Sequence, residues 1–199
     1  MTQEERNEIL HYIEVEKAYL DGKIIQVKKL DKEEWHDIEC IDKPAWNWLN
    51  FDYRVKPEPE REYIDLGLPS GTLWAVDNEE GFYTFDEAIE KFGENMPTKE
   101  DGEELLHECF HRWDDVRKGI EILSPFNGNR LFLPAAGYRS YSNGGLYNAG
   151  SGGYYWFGSP YSASNGYTLD FDSTFLDTSD SDLRAYGFSV RCVKHKSEE

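Results

Sequence analysis

The chain has 199 residues, of which 39% are hydrophobic and 15% aromatic, enough apolar material for a core and too much for wholesale disorder. Its net charge of −18 argues against a nucleic-acid or anionic-membrane footprint, which would need a basic face. The charge is uneven: residues 1–121 hold 32 acidic and 15 basic side chains, whereas residues 122–193 hold five Asp and four Arg.

A helix is predicted to open at Thr2, where Glu5 completes a capping box. Its apolar stripe is Ile9, Leu10, Ile13, Ala18 and Tyr19, and it ends near Asp21 and Gly22. KIIQVKKL and EEWHDIECI follow as strand candidates rich in β-branched and aromatic residues. PAWNWLNFDYRVKPEPE reads as a turn, then a strand through Phe51, Tyr53 and Val55. Pro57 and Pro59 cannot continue a ladder and mark a linker over residues 56–61. The first sixty residues thus form a small module, mostly β.

Beyond the linker, EYIDLGLPSGTLWA predicts two strands about a Gly-Pro turn. TFDEAIEKFG predicts a helix capped by Thr84, with Glu87 three positions on. TKEDGEELLHECFHRWDDVRKG predicts a second helix whose apolar side is Leu105, Leu106, Cys109 and Trp113. From Ile122 onward only short alternating segments remain (RLFLPA, YYWF, YTLDFDS, FSVRCVK), separated by Gly, Ser, Asn and Asp clusters. In YTLDFDS the alternation assigns Tyr167, Leu169 and Phe171 to a core face, and Thr168, Asp170 and Asp172 to an exposed one. The order is that of an α+β chain.

Catalytic motifs are sparse. His107, Glu108 and His111 fit H-E-x-x-H, which on a helix sets two imidazoles one turn apart for zinc with Glu108 as general base. No further ligand is readable, since Asp114 and Arg117 stand where the longer motif wants Gly and His. A solvated helix face is the plainer reading, and a zinc hydrolase is the remote alternative. GSGGYYWFG lacks the following helix that a phosphate loop requires. His11, His36 and His195 lie in no triad context, and no nucleophile elbow occurs. Cys40, Cys109 and Cys192 have unrelated spacings and form neither a disulfide framework nor a zinc ribbon. No apolar run approaches the ~20 residues of a membrane span, and MTQEERNEIL lacks the apolar segment of a secretory signal. Cytoplasmic synthesis without a signal peptide is expected.

The stretch from Gly153 to Cys192 contains no Lys and no Glu, and eight Tyr fall within residues 122–193. Turns favour Gly, Asn, Asp and Ser but do not call for Tyr. Recognition surfaces use Tyr for large contacts at low entropic cost, with Ser, Asn and Asp as adaptable partners, and they disfavour Lys and Glu. The same composition also reads as a loop-rich β region, and the eight Tyr favour a ligand-binding role over it.

DLGLPSGTLWA, MPTKEDGEELLHEC, NRLFLPAAGYRS with LYNAGSGGYYWFGSP, and the ending GFSVRCV, in that order, resemble a large paralogous family of C-type-lectin-fold domains from gut bacteria and their phages. Within it they look most like variable proteins diversified by retroelements. The likeness runs from Tyr63 to Lys194. YLDGKIIQVKK, EEWHDI and FDYRVKPE are similar to a short module of phage-related proteins. The resemblance implies an α+β, C-type lectin-like fold over residues 61–195, with two helices, a small antiparallel sheet and a long irregular half, behind a mostly-β module over 1–60. It implies a fixed scaffold of Leu131–Gly137, Tyr154–Trp156, Leu169, Phe171 and Gly187–Cys192. The implied variable, ligand-binding positions are Ser140, Tyr141, Phe157, Tyr161, Ser164, Asn165, Thr168, Asp170, Asp172, Phe175, Asp177, Ser179, Asp180, Asp182 and Ala185. It also implies that Cys109 and Cys192 are neighbours, with Cys40 apart. The E-P-N, Q-P-D and W-N-D signatures of calcium-dependent lectins are absent, and so is the active-site Cys pair of the similarly folded formylglycine-generating enzymes. No metal or cofactor is therefore expected. The implied function is non-enzymatic recognition of a protein or glycan on a bacterial surface, in a phage or prophage setting and without nucleic acid or membrane insertion. An intracellular structural or assembly protein is the alternative.

Overall fold

A computed structural model of the chain describes residues 1–21, 23–38, 46–57 and 61–196. Gly22, Cys40 and Pro59, on which three of the expectations above rest, lie outside the described residues. Contacts divide the chain into two compact units, Met1–Glu60 and Arg61–Glu199.

In the first unit, helix α1 (Gln3–Leu20) opens with the capping box: Glu5 N–H donates to Thr2 Oγ1 at 3.1 Å, and Thr2 N–H donates to the Glu5 carboxylate at 2.7 Å. Strands β1 (Ile25–Lys29), β2 (His36–Asp37) and β3 (Phe51–Val55) make an antiparallel sheet in the order β2-β1-β3. Val15, Ala18, Ile25 and Tyr53 form its core, with Trp46 and Trp48 packed around Tyr53. Two expectations are corrected here. The helix, at 18 residues, outweighs the strands of 5, 2 and 5 residues taken together, so among the described residues the unit is not mostly β. Ile9, Leu10 and Ile13 are exposed, because the helix meets its core through Val15, Ala18 and Tyr19 and not through these positions.

The second unit begins with β4 (Tyr63–Asp65) and β5 (Leu73–Ala75). Helix α2 (Phe85–Phe92) carries the Thr84–Glu87 capping box, and α3 (Lys99–Glu108) carries another between Thr98 and Asp101. Next come β6 (Phe110–Asp114), β7 (Gly119–Leu123) and β8 (Arg130–Pro134), a three-stranded meander. The short hairpin of β9 (Tyr138–Arg139) and β10 (Leu146–Tyr147) precedes β11 (Gly152–Pro160) and β12 (Asn165–Asp172). Both β13 (Leu176–Asp177) and β14 (Ser181–Leu183) pair with β12. Finally β15 (Val193–Lys194) pairs with β5, so the end of the unit is hydrogen-bonded to its beginning. Among the described residues no helix is long and apolar enough to cross a membrane.

The expected α+β C-type lectin-like architecture is overturned. Among the described residues 36% lie in strands and 21% in helices, in three helices and five sheets with no closed barrel. The half expected to be irregular is organised by the β11–β12 hairpin. Its glycines mislead because several serve packing: a Cβ on Gly153 would lie 2.1 Å from the Phe171 ring, and one on Gly166 would lie 2.2 Å from Phe85. They make room for aromatic rings inside strands.

The second predicted helix is also shorter. It stops at Glu108, Cys109 takes an extended conformation (φ −115°, ψ 153°), and the chain continues as β6. Leu105, Cys109 and Trp113 recur every four residues, a spacing that suits one helical turn and two strand repeats alike. Cys109 and Cys192 are both buried and free, and they sit in separate core clusters. Burial raises both thiols, that of Cys192 to about 12, which makes them poor nucleophiles.

Candidate functional site

Strands β11 and β12 alternate, and both of their faces are covered. Tyr155, Leu169 and Phe171 belong to the larger core cluster, whereas Trp156 belongs to a second one with Phe85 and Phe188. Thr168 and Asp170, expected to be exposed, lie on the Trp156 side and are 0% and 5% exposed. Alternation separates the two faces but does not say whether water or a second core covers each.

Asp170 is the most perturbed group of this region. It stands opposite Tyr154 on β11 and Asp177 on β13. Among the described residues neither its Oδ1 nor the neighbouring Thr168 Oγ1 meets a partner in hydrogen-bonding geometry, although the Thr168 side chain is near enough to Asp170 to offset part of the effect of burial. Burial, and then the charge of Asp182, raise its pKa to about 7. Asp182, half-buried in β14, is raised by its own burial and by Asp180. Among the described residues neither Asp170 nor Asp182 is in an ion pair.

Around these carboxylates stands a set of tyrosines. Tyr138 meets Tyr154 at 4.9 Å and Tyr186 at 5.4 Å, both edge-on, and lies parallel to Tyr147 at 5.7 Å. Tyr141 meets Tyr186 edge-on at 5.0 Å. Asn148 Nδ2 donates to Tyr154 Oη at 2.7 Å, and Asn143 Nδ2 donates to Tyr147 Oη at 2.9 Å. Burial and the Asp170 and Asp182 charges raise the Tyr154 phenol. Edge-to-face pairs add to simple area burial, so these rings hold one another in place while Tyr141 and Tyr147 remain exposed.

The fifteen expected binding positions separate into three groups. Tyr141, Tyr161, Ser164, Phe175, Ser179, Asp180 and Ala185 are exposed, and Ser140, Asn165, Asp172, Asp177 and Asp182 are half-buried. Phe157, Thr168 and Asp170 are buried and cannot present a surface. Phe157 fills the space over Gly102, where a Cβ would lie 2.2 Å from its ring. Asp172 and Asp177 are turn formers. Asp172 Oδ1 accepts from Thr174 Oγ1 at 2.7 Å and from the Thr174 and Phe175 N–H groups, and Asp177 Oδ1 accepts from Ser179 N–H and Oγ at 2.8 Å each. These bonds hold both carboxyls below the usual range.

Tyr141 and Asp182 join the tyrosine patch, and Asp180 acts on it through Asp170 and Asp182. Phe175 and Asp172 lie apart, in a groove of about 250 Å³ with His111 and Trp113. Tyr161 meets Tyr167 edge-on at 5.1 Å beside the β11–β12 turn. Tyr138, Tyr154 and Tyr186 were not among the expected binding residues, and only the density of Tyr in residues 138–186 pointed to them.

The H-E-x-x-H motif loses its geometry. His107 lies in the last turn of α3 and touches Glu108 at 2.8 Å, while His111 lies in β6. Among the described residues no group of His, Cys, Asp and Glu is arranged to hold a metal ion.

Residues 117–193, from the turn before β7 into β15, match a domain of unknown function (DUF8237). That segment encloses every tyrosine of the patch. No curated protein and no solved structure matches the chain.

Proposed function

We propose that this chain is a recognition protein that binds its ligand, without catalysis, through the tyrosine–carboxylate patch of its second unit. The observation that carries the reading is the mutual bracing of Tyr138, Tyr141, Tyr154 and Tyr186 beside Asp170 and Asp182. Rings already fixed in the free protein lose little entropy on binding, which is the general route to affinity from a small surface. Lys and Glu, the side chains most costly to immobilise, are absent from Gly153 to Cys192. The ligand expected is a protein or glycan of a bacterial surface, met in a phage or prophage setting. Any diversification by a retroelement would be confined to the exposed positions, because a freely varying residue at Phe157 or Thr168 would disrupt a core.

Fluorescently labelled protein applied to fixed gut bacteria and to a glycan array tests the proposal. Binding to at least one probe is expected, and Tyr141→Ala combined with Asp182→Asn should lower it at least tenfold while the melting temperature holds. Equal binding by that variant, or none by the parent chain, would overturn the reading. A nearby reverse transcriptase, with a template repeat differing at adenines under the exposed positions, would establish diversification. The absence of both would exclude it.

A further inference from the structure

The outer face of the β6–β7–β8 sheet carries charges that the tyrosine patch does not use. Alternation turns Ile120, Ile122, Leu131 and Leu133 into the core and leaves Phe110, Arg112, Glu121, Leu123 and Arg130 together on the other face. Glu121, in the middle strand, is 7% exposed. Arg112 Nε and Nη2 donate to its Oε2 at 2.9 and 2.6 Å, and Arg130 Nη1 donates to the same oxygen at 2.7 Å. Arg117 Nη2 donates to Oε1 at 2.8 Å, and Arg117 Nε donates to Asp114 at 2.7 Å. Three guanidiniums therefore share two carboxylates. The surplus positive charge lies with Arg112 and Arg130, in a chain of net charge −18.

Both side chains are open to a ligand, at 72% and 52% exposed. Arg112 Nη1 and Arg130 Nε and Nη2 have no acceptor among the described residues. The two arginines, Phe110, His111, Glu121 and Leu123 line a hollow of about 180 Å³. That is below the roughly 300 Å³ at which pockets begin to hold whole drug-sized ligands, so it suits one end group.

We propose that this hollow binds a carboxylate carried on a small apolar group. Guanidinium forks match the planar geometry of a carboxylate. Glu121 Oε2 holds Arg112 through Nε and Nη2 and Arg130 through Nη1, which restrains both side chains before the ligand arrives and leaves the Arg130 Nε–Nη2 fork and Arg112 Nη1 to meet it. Phe110, 66% exposed, and Leu123 supply an apolar wall that a strongly hydrated inorganic anion would not use. The site is separate from the tyrosine patch and stands or falls independently of it.

Titration of the full chain with benzoate, followed by amide NMR at low salt, tests the assignment. Saturable shifts are expected at Phe110–Arg112, Glu121–Leu123 and Arg130. Benzamide, which has the ring without the charge, should give none, and inorganic phosphate should bind more weakly than benzoate. Arg130→Gln should weaken benzoate about tenfold, the worth of one charge-assisted hydrogen bond, and Lys118→Gln should leave it unchanged. Arg112→Gln repeats the test in case Arg130→Gln does not fold. No saturable shift, equal shifts from benzamide, tighter binding of phosphate, or full affinity in both arginine variants would overturn the proposal.

Discussion

Asp170 shows how far a single residue can depart from its sequence context. Its raised pKa sets the sign of a stability effect. Unfolded, the carboxyl has its ordinary pKa of 3.8, and folded it stays protonated to about 7. Between those values the folded state binds the extra proton, so stability falls as pH rises through the window and levels off above it. The full effect is on the order of 4 kcal/mol at 1.36 kcal/mol per pKa unit. The carboxyls of Asp114, Asp172 and Asp177 are lowered and act in the opposite direction, below pH 4. Urea unfolding of the parent chain and of Asp170→Asn, each at pH 4.5 and 8, separates them. Asp170→Asn should gain on the parent at pH 8 by several times its gain at pH 4.5, and an equal difference at both would show that Asp170 ionises normally. Arg191 makes the converse case. It is 2% exposed and spends its guanidinium on the carbonyls of Ala75, Val76 and Phe132 and on Asn78 Oδ1, partners up to 116 residues away that no local pattern could name.

Capping decides where elements begin, and burial decides where they end. The boxes at Thr2 and Thr84 were legible because the donors they satisfy belong to residues three positions on. The end of α3 was not legible, because β6 forms by pairing with β7 rather than by any signal at Cys109. That boundary dissolves the zinc motif, since His107 and His111 are chelating neighbours only on a continuous helix. Adding a chelator should therefore leave the melting temperature unchanged, as should replacing His107 and His111 together by Ala. A drop of several degrees on chelation would show a metal bound to the folded state.

At the scale of the whole molecule the two units have separate cores, that of Val15, Ala18, Ile25 and Tyr53 and those of the second unit. Limited proteolysis should cut within residues 56–62 and leave a resistant fragment beginning near Arg61. Urea unfolding of that fragment should keep the midpoint of the same transition in the full chain. A fragment that unfolds on release would show that the second unit depends on the first.

Sequence by itself determined the features carried by near neighbours: the caps at Thr2 and Thr84, most of the strand segments, the alternation in β12, and the dense tyrosines of the C-terminal third. Each rests on contacts within a few positions or on composition. What only the tertiary structure decided is which surfaces meet water. Thr168 and Asp170 alternate as an exposed face should, yet a second core around Trp156 and Phe188 closes over them. Phe157, a variable position by resemblance, fills the space that Gly102 leaves. Tyr138, Tyr154 and Tyr186 become one patch because β9, β11 and the turn after β14 converge. Burial is a property of the packed whole, set by elements far apart in the chain, and no window of local sequence contains it.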